Sequence, residues 1–596
     1  SHSWEKEPRW RKISAYSAGR SCRIYRIRSF LEIQNIQAHS PLRQICKKNI
    51  VKQQDILFDK LKGGKNMKRL LSLATSIVLV TGLLCIPAGA LADERDRSSV
   101  EAAVEQYLQT YTQSTLMNED SSLSVNTVSD VVVPLTRAEN ATYALSSGTA
   151  TLPEMQENIS YIEEKAEFFK EARQAQGITR TDLELSYDFE DVTVAGNTAT
   201  ATVSELASFY YTGETQQSFA ETIYTVDLVN VDGEWLIADV NDNDWFDATY
   251  KDAQSSFNAE AALADMEAAQ AMDNGCVVQL LDDEPELMTT ASYRIPYNAD
   301  SATAYAYTYT RQTGTESWQD YYNQDFVDFR ADGGDCMNFA SQCMWAGFSG
   351  NQTRASIDAH NIPMDKDGSS STTWYSCSKD KYSSRVANST GSWRSCSAFR
   401  TYMGNTNNAT DIGLKCNTAD VAAGANFSGV TTSALKGAVC HVDGGGGAYT
   451  HAIVLTDING LSRSQIYLCA HYTDRKYVKL GDYYPSCAIK AFMPQYFRTN
   501  VPLTNYLQVD MVRPVKRNNS AALKCYTTGA QNKFTIAVTS PSGKTSQASS
   551  TASNPKSFTY NYKFTENGLY KVDCYSKPTA SSAATVVTYY VLCYTL

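Results

Sequence analysis

Apolar and polar residues alternate through LELSYDFEDVTVAGNTATATVSELASFYY (183–211) and again through AETIYTVDLVNVDGEWLIADVNDND (220–244). A period of two sends alternate side chains to one face, so both stretches predict half-buried antiparallel strands. The turns at Ala195-Gly196-Asn197 and Asp232-Gly233 predict hairpins. Ahead of them, SSVEAAVEQYLQTYTQSTL (98–116) and LPEMQENISYIEEKAEFFKEARQAQG (152–177) read as helices, the second stopped by Gly177. Two helices followed by a meander predict an α+β unit over 93–250. No acid–base pair stands out in it, so it reads as a non-catalytic accessory module.

Further along, 251–292 reads as an Ala/Glu/Asp-rich helix and an acidic linker, and a second unit runs over 293–500. The last unit, 501–596, shows short strands such as KFTIAVTS, GLYKVDCYS and ATVVTYYVLCY between Gly, Pro and Ser turns. That pattern predicts an immunoglobulin-like β-sandwich, with Cys525, Cys574 and Cys593 as candidates for an inter-strand disulfide. The acidic run DVNDNDWFD (239–247) has the first spacings of a calcium loop. It lacks the loop glycine and the closing glutamate, so it reads as a solvated turn.

Charge changes the picture of the chain's beginning. Residues 1–66 hold 15 Lys and Arg against 5 Asp and Glu. Met67 then opens a basic pair (Lys68, Arg69), an apolar run to Ile86 and the small-residue exit Ala90-Leu91-Ala92. This order predicts a secretory signal over 67–92, cleaved before Asp93. Leu84 before Cys85 argues against a lipoprotein. The stretch KGGKN before Met67 can be encoded by a purine-rich ribosome-binding sequence, so 1–66 reads as a mis-called, disordered upstream extension. Residues 93–596 carry 36 Lys and Arg against 59 Asp and Glu, a net of −23. Such a balance argues against nucleic-acid binding and for a secreted, extracellular bacterial protein with no stable membrane anchor after cleavage. Twelve of the 15 cysteines lie in this part, and none forms a CxxC pair.

The candidate chemistry lies in ADGGDCMNFASQCMWAGF (331–348). Cys336 follows two glycines and Asp335, an N-cap residue type, so its thiol is expected in the first turn of a helix. The positive end of a helix favours thiolate. A nucleophilic thiol needs a base, and four histidines follow residue 93: His360, His441, His451 and His471. His360 lies in an expected loop and His441 beside a glycine run, at the expected surface. His451 opens the apolar strand THAIVLTDI, the place from which a histidine can face a helix N-terminus.

These segments, with TTWYSCS, GSWRSCSAFRTYM and YLCAHYTDRKYVKL, resemble the putative amidase domain family of secreted Gram-positive proteins. The resemblance covers about 293–500 and implies a papain-like/NlpC-type cysteine hydrolase. It implies Cys336 as nucleophile, His451 as base, and His471 as the group orienting the imidazole, with Asp474 the alternative. Asp335 is either an N-cap or an anchor for a substrate amine. Asn338, Ser341 and Gln342 are candidates for the second oxyanion donor, and Trp374 and Trp393 for cleft walls. The first unit resembles the ketosteroid-isomerase-like α+β cone. The expected fold is therefore α+β and multidomain: cone, hydrolase and sandwich. The expected function is hydrolysis of an amide bond, with cell-wall peptides as the leading substrate. No metal or organic cofactor is implied. Two alternatives stay open: a degenerate, wall-binding protein, and acyl transfer to an amine. The leader reading predicts that N-terminal sequencing of the native protein starts at Asp93; a start upstream of Met67 overturns it.

Overall fold

The meander expected from the period of two is present. The computed structural model describes residues 88–117, 123, 126–130, 142–242, 245–250, 257–272, 274–281, 293–311, 321–330, 334–352, 372–377, 388–408, 411–443, 449–500, 503 and 506–595. The expectations for 1–66, for most of the leader and for His360 lie outside the described residues.

Helix α1 spans Ala88–Met117 and α2 spans Leu152–Ala175. Thr151 starts α2 with a capping box to Glu154, and Pro153 sits in its first turn. Met155, Ile159, Ile162 and Ala172 recur at helical spacing and are buried. Both helices contribute to a core shared with the meander β1 (Arg180–Ala195), β2 (Thr198–Tyr211), β3 (Gln217–Val231) and β4 (Glu234–Asn241). The turn at Asp232-Gly233 places both residues at positive φ (52° and 95°), the backbone a two-residue hairpin requires. Asp242 and Asp247, from the acidic run, are not solvated. Both are buried and pair with the equally buried Lys165 at 2.9 Å, which corrects the reading as a solvated turn.

The sheet does not stop at β4. Eight further strands complete it: β5 (Cys276–Gln279), β6 (Tyr293–Pro296), β7 (Gly413–Val421), β8 (Val439–Val442), β9 (His451–Ile458), β10 (Ile466–Ala470), β11 (Arg475–Lys479) and β12 (Ile489–Thr499). The order is β1-β2-β3-β11-β10-β9-β8-β12-β7-β5, with β4 on β3 and β6 on β12. The join is the antiparallel pair β3–β11, with Arg475 opposite Ala220 and Lys476 opposite Phe219. Glu221 N–H donates to the Asp474 carbonyl (2.8 Å), and Ser218 Oγ to the Tyr477 carbonyl (2.6 Å). From Ala92 to Leu596 the chain is one compact unit.

The two faces of this sheet are both covered. Ile453 and Leu455 of β9 enter the core shared with the meander, while Ala452 and Val454 enter a second core. That second core is built on helices α3 (Ala299–Thr308) and α4 (Cys336–Gly347) and on the C-terminal strands. Every residue of α4 is buried, its polar Asn338, Ser341 and Gln342 being hydrogen-bonded inside the core. The last segment folds as two sheets, one of Gln508–Asp510, Ser520–Tyr526 and Ser557–Lys563 and one of five strands between Val515 and Tyr594. Cys525, Cys574 and Cys593 are thiols in this structure, and Cys525 and Cys574 meet side chain to side chain across the two sheets.

A buried charge cluster reinforces the β3–β11 join. Asp482 is fully buried and accepts from Arg173 Nε (2.7 Å), from Arg180 and from Tyr211 Oη (2.6 Å). Burial alone raises this carboxyl, but the Arg180 and Arg173 charges outweigh it and hold the group below its ordinary range. Removing one partner of such a cluster leaves buried charge uncompensated. Asp482→Asn is therefore expected to cost about 3–5 kcal/mol in urea unfolding at neutral pH. A depressed folded value means the stabilisation is complete above the unfolded carboxylate value of about 3.9 and fades as pH falls through the folded value. The gap between wild type and variant should narrow only in that acid range.

Candidate active site

Gly334 has φ of 138°, a backbone that favours glycine, and turns the chain into α4 at Asp335. Cys336 is thus the first residue of α4, where the unpaired helix N–H groups favour an anion. Its thiol is drawn well below the ordinary cysteine value. The largest cause is a hydrogen bond from the Cys396 thiol. The His451 ring adds a hydrogen bond and its charge, the Ala452 N–H donates as well, and burial opposes all of these. Cys396 moves the opposite way, well above its ordinary value, because it keeps the proton it shares with Cys336. Burial pushes Cys343, Cys416, Cys440, Cys469 and Cys487 upward, so Cys336 stands apart from the thiols buried around it.

Cys396 is the site residue that sequence reasoning passed over, as one of several structural cysteines. It opens helix α5 (Cys396–Thr406), behind Ser395, whose side chain caps the Ala398 N–H. Two helices thus present their first residues to each other, and both first residues are cysteine. The signal in the sequence was the motif SCSAF, which repeats the order of a capping residue type followed by cysteine seen in DCMNF.

His451 opens β9, and the Tyr484 ring stacks beside it at 6.1 Å. Its Nε2 is buried and has no hydrogen-bond partner among the described residues. The expected third member is therefore not in place. His471 is engaged elsewhere on both ring nitrogens. Nδ1 lies 3.2 Å from Asp335 Oδ2 and Nε2 lies 2.5 Å from the Tyr309 carbonyl. Its ring is clamped between Tyr322 (3.9 Å, 4°) and Phe339 (3.8 Å, 17°). It cannot orient His451, which corrects that expectation. Asp474 does not orient it either: its Oδ1 accepts from Tyr322 Oη (3.1 Å), and its Oδ2 is buried with no hydrogen-bond partner among the described residues, His451 included.

Asp335 occupies the N-cap position but makes no side-chain cap bond. Its Oδ1 accepts instead from Phe329 N–H (2.9 Å) and Asn338 Nδ2 (2.7 Å), and its Oδ2 faces His471. Burial raises its value, and the His471 bond and charge partly counter that. Asn338 also takes the Trp393 Nε1 hydrogen on Oδ1 (2.8 Å). Ser341 receives Trp374 Nε1 (3.1 Å) and donates to the Trp393 carbonyl (2.8 Å), and Gln342 Oε1 accepts from Tyr305 Oη (2.6 Å). Trp374 and Trp393 stack on each other at 4.9 Å. All of these side chains are buried and hydrogen-bonded among themselves and to neighbouring groups. The expectation that Asp335, Asn338, Gln342, Trp374 and Trp393 meet substrate, or that Asn338, Ser341 and Gln342 supply an oxyanion donor, is corrected: none of them lines the cavity onto which Cys336 opens, and they fix α4 from the other side. His441, expected at the surface, is fully buried on β8, with Nε2 3.2 Å from Met337 Sδ.

Cys336 and His451 line one cavity of about 270 Å³ together with Tyr472, Tyr484 and residues of α1, α2, β2 and β3. Tyr472 holds φ of 89°, an unfavourable backbone for so bulky a side chain, directly after His471.

Residues 296–492 match the family described as Putative amidase domain, a third of the chain, which indicates a hydrolase over that segment. A search of curated proteins found no similar sequence. Among solved structures, one titled as a crystal structure of a type 2 hexachlorocyclohexane dehydrochlorinase (LinA) aligns with 25% of this chain and 86% of its own. Its identity is 13% and its TM-score 0.16, too slight a likeness to bear on the fold.

The Cys396 hydrogen bond leads to one expectation. Cys396→Ala should raise the Cys336 value, read as a shift of its alkylation profile toward higher pH. An unchanged profile would show that Cys396 gives the thiolate no support.

Proposed function

We propose that this protein is a secreted cysteine-dependent amidase or peptidase, with Cys336 as nucleophile and His451 as base. The observation that carries the reading is the meeting of the two residues in one cavity, with the Cys336 thiol drawn down by three separate donors. Buried thiols normally move upward. A thiol lowered against burial is suited to attack on a carbonyl.

The chemistry follows from the groups present. His451 takes the Cys336 proton, and the thiolate adds to the amide carbon. The oxyanion forms beside the start of α4, where the Cys336 N–H is one donor. His451 returns the proton to the leaving nitrogen as the C–N bond breaks, which leaves a thioester on Cys336. Water, activated by His451, then releases the acid and restores the thiol. Peptides of the bacterial wall are the proposed substrate class, from the leader in the sequence and from kinship with papain-like and NlpC-type hydrolases. On this reading 93–250 is a cone of the ketosteroid-isomerase kind, and 501–596 an immunoglobulin-like sandwich.

A second reading, a wall-binding protein with a degenerate site, draws on the unpartnered His451 Nε2. Iodoacetamide labelling of Cys336 against pH, located by mass spectrometry, separates the two. Rapid labelling well below pH 8 that falls at least about tenfold in His451→Ala is expected for the enzyme. Slow labelling in both proteins, with a midpoint near the free-thiol value of about 8.5, would favour the binding protein.

A further inference from the structure

The cavity behind Cys336 is not closed by the hydrolase segment. Its far walls belong to the N-terminal helices and meander: Thr112 of α1, Lys165 of α2, Glu205 of β2 and Tyr224 of β3. Glu205 has an unusual place. It lies on the face of β2 that otherwise buries Ala199, Ala201, Val203, Ala207 and Phe209, and it is only 3% exposed. Thr112 Oγ1 faces both of its oxygens, at 2.8 and 3.0 Å. Among the described residues no Lys, Arg or His ion-pairs with it, and burial pushes it up to about 7, against its hydroxyl partners and the Arg475 charge, which pull it down.

Two of the cations lining the cavity are already paired with carboxylates. Lys165 is held by Asp242 and Asp247, and Arg173 by Asp482. Arg475 is bonded to the Glu221 and Asp474 carbonyls and stacked on Tyr483. Glu205 is left as a buried carboxyl with no ion-pair partner among the described residues, felt only weakly by the Arg475 charge, in a chamber walled partly by Tyr111, Phe169, Tyr224 and Trp245. A carboxyl with aromatic faces around it suits an ammonium group. The volume, just under the lower end for small-molecule pockets (~300 Å³), suits one residue-sized group rather than a long chain.

We propose that the N-terminal module is the specificity half of the active site: the chamber receives the part of the amide substrate that carries a primary amine, and Glu205 with Thr112 binds that ammonium. The proposal rests on Cys336 being the nucleophile, because the chamber opens on it. It departs from the reading of this module as a bystander.

The test uses methanethiosulfonates bearing a primary amine on two-, four- and six-carbon chains, with the matching alkyl reagents as neutral controls. Rates at Cys336 are normalised to a free small thiol. One chain length is expected to show an amine preference of at least tenfold. Glu205→Gln should reduce that ratio to near one, and Thr112→Val, a variant that keeps the carboxylate, should reduce it in part. Ratios near one at every length in the wild type, or a preference that survives Glu205→Gln, would overturn the proposal. A separate readout needs no reactive thiol: lysine amide should raise the melting temperature of the wild type and not of Glu205→Gln. Labelling at only the free-thiol rate by all reagents, together with that Glu205-dependent shift, would sink the nucleophile and keep the ammonium site. Normal labelling with no amine preference and no shift would do the reverse.

Discussion

The pairing of β3 with β11, backed by Asp482, is the contact on which the rest of the site depends. It joins a meander from the first third of the chain to the central sheet through main-chain bonds at Arg475 and Lys476. Strand pairing alone would allow the two parts to hinge. The Asp482 carboxylate removes that freedom, because Arg173, Arg180 and Tyr211 all come from the N-terminal side and all bond to it. Trp245 adds a further tie, with its Nε1 on the Tyr483 carbonyl at 2.7 Å. The wall opposite Cys336 is thereby held in place.

A division of labour follows inside the hydrolase segment. The side chains on the inner part of α4 bond to one another and to His471, and none of Asp335, Asn338, Ser341 or Gln342 lines the cavity. Their work is to hold a helix start in one place. The Cys336 thiol is then drawn down by groups that come from elsewhere: Cys396 from the start of α5, and His451 and Ala452 from β9. A positioned hydrogen-bond donor costs nothing to reorganise when charge forms, so a scaffold that only fixes positions still serves the chemistry.

Much of the local structure was legible in the residues. The alternation of 183–211 and 220–244, the turn Asp232-Gly233 and the helix after Asp335 all stand where pattern and punctuation placed them. Cys336 as a helix-start thiol was legible because capping and turn residues act over a few positions. The roles of His471, Asp474 and the two tryptophans were not. A histidine after a strand has the same sequence signature whether its ring meets another histidine or, as here, a carboxylate and a carbonyl. Glu205 left a trace, as the one charged residue on an apolar face, but its meaning depended on what that face met.

The sequence by itself determined the elements, a cysteine at a helix start and a histidine at the head of a strand, since periodicity, capping and turn chemistry are short-range. Only the tertiary structure decided that Cys396 meets Cys336, that His471 serves the scaffold, and that the N-terminal module walls the chamber onto which Cys336 opens. Those facts rest on contacts between residues up to some 300 positions apart, such as Arg173 with Asp482. No local pattern encodes which buried groups meet when separate faces are pressed into one core.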